Sequence, residues 1–275
     1  MLGGQALNEG VCVRTSERWA VAVRRPDGSI HTEVHPLVER WTRLRRSFLR
    51  GPVALVDAVS IGLRAADIAI RESTGVKSEG GAGVVLAPVA FGILTIFVGL
   101  PAIAARGWTD VAGDVAEAAV RAAMLLVYLG SLSATAFARR LFAYHGAEHK
   151  AIAACERAGR MPTADEARAE SPVHVRCGTD FIALFVIACG VVFSFVGREP
   201  WWFAIAVRIA LVPIVMALAY ELMRAAARFE GSLGSRLVTW PGRALQRITT
   251  REPSDDQLEV ALAALGTAVD VGAGS

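Results

Sequence analysis

The sequence predicts an all-α polytopic membrane protein. It would have about four transmembrane helices, a small N-terminal β-hairpin region and further helical elements on the cytoplasmic side. Three observations carry this reading. The 275 residues are 53% hydrophobic and 20% charged, with a mean hydropathy of +0.43, whereas soluble domains average about 45–50% apolar and 25% charged. The apolar excess is gathered into four blocks close to the roughly 20 residues that a spanning helix needs. Lys and Arg fall almost entirely to one side of those blocks. The composition also excludes a disordered chain and a small disulfide scaffold.

Taken in order, residues 19–23 read as a short strand. Arg25-Pro26-Asp27-Gly28 supplies a turn, since Pro presets φ and Gly accepts φ > 0, and 29–34 alternates as the return strand. Trp41 to Arg50 interleaves aromatic and basic residues, as an interfacial anchor on anionic headgroups does. Residues 53–70 are apolar but broken by Asp57, Arg64 and Asp67. They read as an amphipathic helix at the membrane face, with a re-entrant or fifth segment as the alternative. The expected spans are 80–105, 122–138, 181–197 and 200–220; the last carries one charge, Arg208. No signal peptide precedes the first block, so it reads as a retained span. In the tail, Ser254-Asp255-Asp256-Gln257 fits a capping box. An apolar stripe over 258–269 then predicts a surface helix docked on the cytoplasmic part. The boundaries implied are 1–83, 84–220 with a cytoplasmic loop at 139–180, and 221–275.

Orientation follows from charge. Of the 29 Lys and Arg, 25 lie before 80, in 139–180 or after 220. Cytoplasmic segments carry this excess, so both termini and the 139–180 loop are expected in the cytoplasm, with the bilayer as the chain's first partner. A net charge of +3 hides the asymmetry and does not indicate nucleic acid. Cys12, Cys155 and Cys177 fall on the cytoplasmic side and Cys189 in a span, so none is placed for a disulfide.

The candidate site is Tyr144-His145-Gly146-Ala147-Glu148-His149-Lys150. It is expected on a helix that runs directly out of the second span to about Ala158, with Gly159 as C-cap. His145 and His149 stand four apart on one face, with Glu148 beside them. Two imidazoles one turn apart can grip one metal ion, and a neighbouring carboxylate can act as base, the logic of an H-x-x-E-H motif. His174 and Cys177 are metal-capable side chains at a matching depth just before the third span. Four ligands would close a structural zinc site; a catalytic one keeps a position open, with Glu148 as base. Glu221 is a weaker candidate ligand, with an interfacial carboxylate near Arg224 as the simpler reading, and Lys150 is one of only two lysines. Arg208 lies at the depth of Ser131 and is a functional candidate by its position alone. Gly130-x-x-x-Ala134 permits close helix packing.

On these residues the sequence resembles the YqhQ family, bacterial membrane proteins of unknown function sometimes labelled predicted metal-dependent enzymes. The matching stretches are Gly3 to Leu7 with Glu9-Gly10-Val11, Ala22 to Gly28, Tyr144 to Lys150, Arg176 to Thr179, Tyr220-Glu221 and Thr249 to Pro253. The chain departs from the family pattern at Asn8, Cys12 and Val175. The resemblance implies a membrane location and metal dependence, and adds Gln5 and Glu9 as supporting residues. The expected function is a zinc hydrolase acting on an unidentified substrate at the cytoplasmic membrane face. The alternative is a non-enzymatic scaffold or assembly factor whose His/Cys cluster is structural. A transporter would rest on Arg208 alone, and no internal repeat supports it.

Overall fold

The computed structural model describes residues 2–38, 47–75, 82–108, 111–174, 177–197, 200–229 and 231–269, with side chains in the second helix described from Gly92 onward. The strands are β1 (Gly3–Leu7), β2 (Gly10–Arg14), β3 (Arg18–Arg24) and β4 (Ile30–Pro36). The helices are α1 (Arg50–Thr74), α2 (Ala82–Ala104), α3 (Val111–Ser133), α4 (Ala136–Ala158), α5 (Ala164–Arg168), α6 (Gly178–Phe193), α7 (Trp201–Arg228), α8 (Leu233–Thr249) and α9 (Asp255–Val269). The chain is mostly helical with a small N-terminal antiparallel sheet. Trp41 to Arg46 of the expected interfacial anchor, together with Val175, Arg176 and Arg198, lie outside the described residues.

The sheet is a four-stranded meander, β1-β2-β3-β4, antiparallel throughout. The expected hairpin is β3–β4, paired Val21↔Glu33 and Val23↔His31. Side chains alternate across a strand, and here both faces are covered. Val11, Val13, Ala20 and Ala22 pack with Tyr144, Ala147 and Ala151 of α4 and with Leu258, Ala261 and Leu265 of α9. Leu7, Cys12, Trp19, Val21 and Val23 face Ile61, Ala65, Ile68 and Ala69 of α1, which recur at helical spacing. Each fully buried Val contributes about 1.5–3 kcal/mol. The tail helix is therefore docked as expected, and it closes a core that joins the two ends of the chain to α4. Ser254 and Gln257 form its start, with the Ser254 N–H donating to Gln257 Oε1 at 3.0 Å.

Among the described residues, α3 and α7 are long and apolar enough to cross a bilayer, while Gly92–Ala104 and Gly178–Phe193 are apolar but shorter. Of the apolar windows in α3 and α7, only 22% and 33% respectively is buried inside the protein. The expected boundaries shift. The second block, placed at 122–138, is a helix from Val111 to Ser133. It then breaks, and Thr135 caps α4 by accepting the Ala138 N–H at 3.1 Å. The site helix thus starts anew rather than running out of the span, although its end at Ala158 and the left-handed Gly159 cap (φ 65°) are as expected. The break follows from Ser131, Ser133 and Thr135, whose hydroxyls donate to local carbonyls and compete with the helix.

Arg208 is also relocated. Its partner is Glu117 of α3 (3.1 Å), not Ser131, and Glu117 also accepts from Arg121 at 2.8 Å. Both guanidiniums lie against the Phe193 ring, 5.2 Å from its centroid for Arg121 and 5.8 Å for Arg208. Including Glu117 and Arg121 in the helix moves the pair from the loop into the bundle interior, where a buried charge persists only with a partner.

Candidate metal centre

Residues from four elements converge. His145, Glu148 and His149 come from α4, Cys177 caps the start of α6, Gly3 and Gly4 come from β1, and Thr249 ends α8. One ligand atom from each of His145, His149 and Cys177 lies within 4.8 Å of the others. Cys177 Sγ is 3.3 Å from His145 Nε2 and accepts the Thr179 N–H at 3.4 Å.

The second nitrogen of each imidazole fixes the tautomer. His145 Nδ1 lies 2.8 Å from the Thr249 carbonyl, and His149 Nδ1 lies 2.6 Å from that of Pro172. A carbonyl only accepts, so each Nδ1 carries a proton, which leaves Nε2 as the nitrogen of each ring available to a metal. This is the supporting pattern of metal-ligating histidines. Burial, with His145 nearby, lowers the His149 pKa to about 3, so its ring is neutral at pH 7. Burial raises the Cys177 thiol above its ordinary value, partly offset by Thr179.

Glu148 is buried, with Oε2 3.9 Å from His145 Nε2. Burial lifts its pKa to about 7, opposed by His145 and aided by Cys177. A carboxyl at that value can hold or accept a proton near neutrality. Its position depends on Gly4, where an added Cβ would sit 2.5 Å from Glu148 Oε1. Gly146 serves the same packing from the other side of α4. There a Cβ would lie 1.9 Å from the Arg251 carbonyl oxygen, so only glycine lets the 249–252 segment cross close enough for Thr249 to reach His145.

Not every expected residue joins. His174 lines the same small cavity of about 50 Å³, but its Nε2 lies 3.5 Å from Glu156. Its backbone is held at both N–H and C=O by the Gln246 amide at 3.0 Å. Glu221 is drawn away by a bidentate pair with Arg50, both contacts 2.5 Å. Lys150 donates to Glu252 and to the Arg168 carbonyl, pinning α4 to the segment after α8. Glu9 pairs with Arg140 and with Tyr144 Oη (3.2 Å), and Gln5 donates to the Ala58 carbonyl at 2.9 Å. These four residues brace the elements around the cluster.

Sequence reasoning missed Gly4, Pro172, Gln246 and α8 itself. Gly4 and Thr249 fall inside stretches of the family resemblance, which is the signal that could have found them. Another group, His31, Glu33 and Glu72, also has ligand atoms within 4.8 Å. It is threaded by Arg25 and Arg71, whose hydrogen bonds hold the Glu72 carboxyl below its ordinary range. That arrangement is a salt-bridge network with its carboxylates already engaged.

The residues present fit a metal: two neutral-capable imidazoles aimed by carbonyls, a thiol and an adjacent carboxyl form an N₂S donor set suited to zinc. Residues 47–271 match the family model described as "Protein of unknown function (DUF1385)". The chain is 30% identical over 292 residues to "Uncharacterized protein YqhQ" of Bacillus subtilis (strain 168), covering 94% of this chain and 89% of that protein. No solved structure matches. On both matches, this chain belongs to the DUF1385 family and is a relative of YqhQ.

Proposed function

We propose that the protein is a zinc-dependent hydrolase working at the cytoplasmic face of a bacterial membrane. One observation carries the reading: His145 and His149, each held through Nδ1 by a backbone carbonyl, bring a ligand atom within 4.8 Å of one another and of Cys177, with a buried Glu148 beside them. His145, His149 and Cys177 would hold the ion, and Glu148 would be the base. A bound zinc supplies Lewis acidity, polarising a carbonyl and acidifying water. Glu148, poised near pH 7, takes a proton from the attacking water and returns it to the leaving group. Gly4 keeps that carboxyl in place, and the Thr249 and Pro172 carbonyls keep the imidazoles aimed.

The membrane part of the reading takes α2, α3, α6 and α7 as four spans, with both termini in the cytoplasm. Its support is the exposed apolar surface of α3 and α7, the Lys/Arg bias, and the inverted face of α8. In α8, Ser235, Thr239 and Gln246 are buried, whereas Leu233, Leu237 and Trp240 are 73%, 67% and 69% exposed. A helix that buries polar residues and exposes apolar ones fits a lipid interface, with Arg236, Arg243 and Arg247 reaching headgroups.

The alternative, a scaffold with a closed structural site, draws on His174, which lines the same cavity and would complete four ligands. Glu148→Gln separates the two. A hydrolase variant keeps its fold and stoichiometric metal and loses the cellular function that depends on the gene. Survival of that function with metal bound would remove the catalytic role.

A further inference from the structure

A second cavity of about 620 Å³ adjoins the cluster, within the roughly 300–1,000 Å³ range of small-molecule sites. The two cavities share Gly3, Gly4, Cys177 and Gly178. Three of these four are glycines, so little side chain stands between the spaces. The larger cavity runs between α1, the β1–β2 edge, the start of α6 and the end of α7, and its walls include Ala54, Leu55, Ala58 and Phe181.

Two features say what would enter. Val59 of α1 and Ile182 of α6 both line the cavity and are 51% and 41% exposed. Its rim is therefore continuous with the exposed apolar faces of the helices read as membrane-facing. A chain leaving the bilayer could pass this rim without crossing water. The other feature is Arg14, a half-buried cation lining the same cavity with no ion pair among the described residues. An unpaired guanidinium beside an apolar slot is complementary to an anionic head carried on an apolar chain.

We infer that the cavity binds an anionic membrane lipid, with one apolar chain between α1 and α6, its acidic head at Arg14 and its acyl linkage toward Cys177 and Glu148. This inference rests on the hydrolase reading for its chemistry but not for its binding. In the reaction, water adds across the acyl C–O bond. The hydroxyl goes to the acyl carbon, and the proton passes through Glu148 to the leaving oxygen.

The test is photolabelling of the full-length protein in bilayer nanodiscs. The probe is phosphatidylglycerol with a diazirine near the end of one chain, and labelled residues are mapped by mass spectrometry. Saturable labelling is expected at Leu55, Phe181 or Met223, competed by unlabelled phosphatidylglycerol. Ala58→Phe, and independently Ala54→Leu, should lower that labelling at least tenfold while leaving labelling of lipid-facing Ile214 unchanged. Arg14→Gln should reduce the preference for phosphatidylglycerol over phosphatidylcholine about tenfold. Labelling confined to outward faces, or insensitive to both filling variants, overturns the lipid site; an unchanged lipid preference in Arg14→Gln overturns the acidic-head assignment. The same experiment in His149→Ala keeps the two readings apart. Cavity labelling without metal leaves the lipid site standing if the zinc reading fails, and bound zinc without cavity labelling leaves zinc standing alone.

Discussion

Gly146→Ala probes how the fold aims the cluster. The added methyl would lie 1.9 Å from the Arg251 oxygen, and Cβ atoms essentially never come within 3.0 Å of such an atom, so the segment after α8 must retreat by about 1.1 Å. That retreat breaks the Arg251 N–H bond to the Phe142 carbonyl, now 2.9 Å. It also pulls the Thr249 carbonyl from His145 Nδ1, now 2.8 Å. Losing two such bonds costs about 2–4 kcal/mol, with about 1 kcal/mol returned by the better helix propensity of Ala. The net is about 1–3 kcal/mol, equivalent to roughly 2–5 °C in Tm for a chain of this size. Loosening the His145 ring should weaken zinc binding about 10–100-fold. The assay is thermal unfolding and competitive zinc titration of the purified protein in detergent. Gly130→Ala is the control, because nothing lies within 4 Å of its added Cβ. Gly146→Ala with an unchanged Tm and a zinc Kd within twofold of the native value would refute the reasoning.

Other expectations follow from the same geometry. Gly4→Ala should displace Glu148, leaving zinc content intact while turnover falls as it does in Glu148→Gln. In metal-free protein, the Glu148 pKa rises from 4.5 toward about 7 on folding; the stability this group contributes is full below pH 4.5 and lost as pH rises through about 7. The melting temperature of chelated protein relative to that of chelated Glu148→Gln should therefore fall between pH 5.5 and pH 8, a comparison in which the opposite titration of buried His149 is common to both proteins. Glu117→Leu should destabilise the bundle by about 3–5 kcal/mol by leaving Arg121 and Arg208 without their shared carboxylate, read as a lower midpoint in detergent unfolding. Cys12, buried and with its thiol pushed up to about 12, should resist maleimide at pH 8 until the protein is denatured.

The parts legible in the sequence are those with a strong local signal. The β3–β4 hairpin announced itself through Pro26-Asp27-Gly28, the tail helix through its capping box, and the ligand pair through the four-residue spacing of His145 and His149. The rest depends on long-range partners. β1 and β2 are only five residues each, and their pattern acquires meaning from α1, α4 and α9 on either side. α8 escaped notice because Gly234, Pro241 and Gly242 interrupt it and its apolar residues face outward. Gly242 is nevertheless required, since a Cβ there would fall 2.2 Å from Asp180 Oδ1. The depth match that joined His174 and Cys177 to α4 assumed a continuous helix. The helix breaks at Thr135, and of those two residues only Cys177 reaches the ligand set.

The central claim is that His145, His149 and Cys177 hold one transition-metal ion. Elemental analysis of protein purified without chelators, alongside His149→Ala, tests it most directly. The account expects about one zinc per chain in the native protein and almost none in the variant. A native protein with no stoichiometric metal, and none taken up on zinc titration, would contradict it.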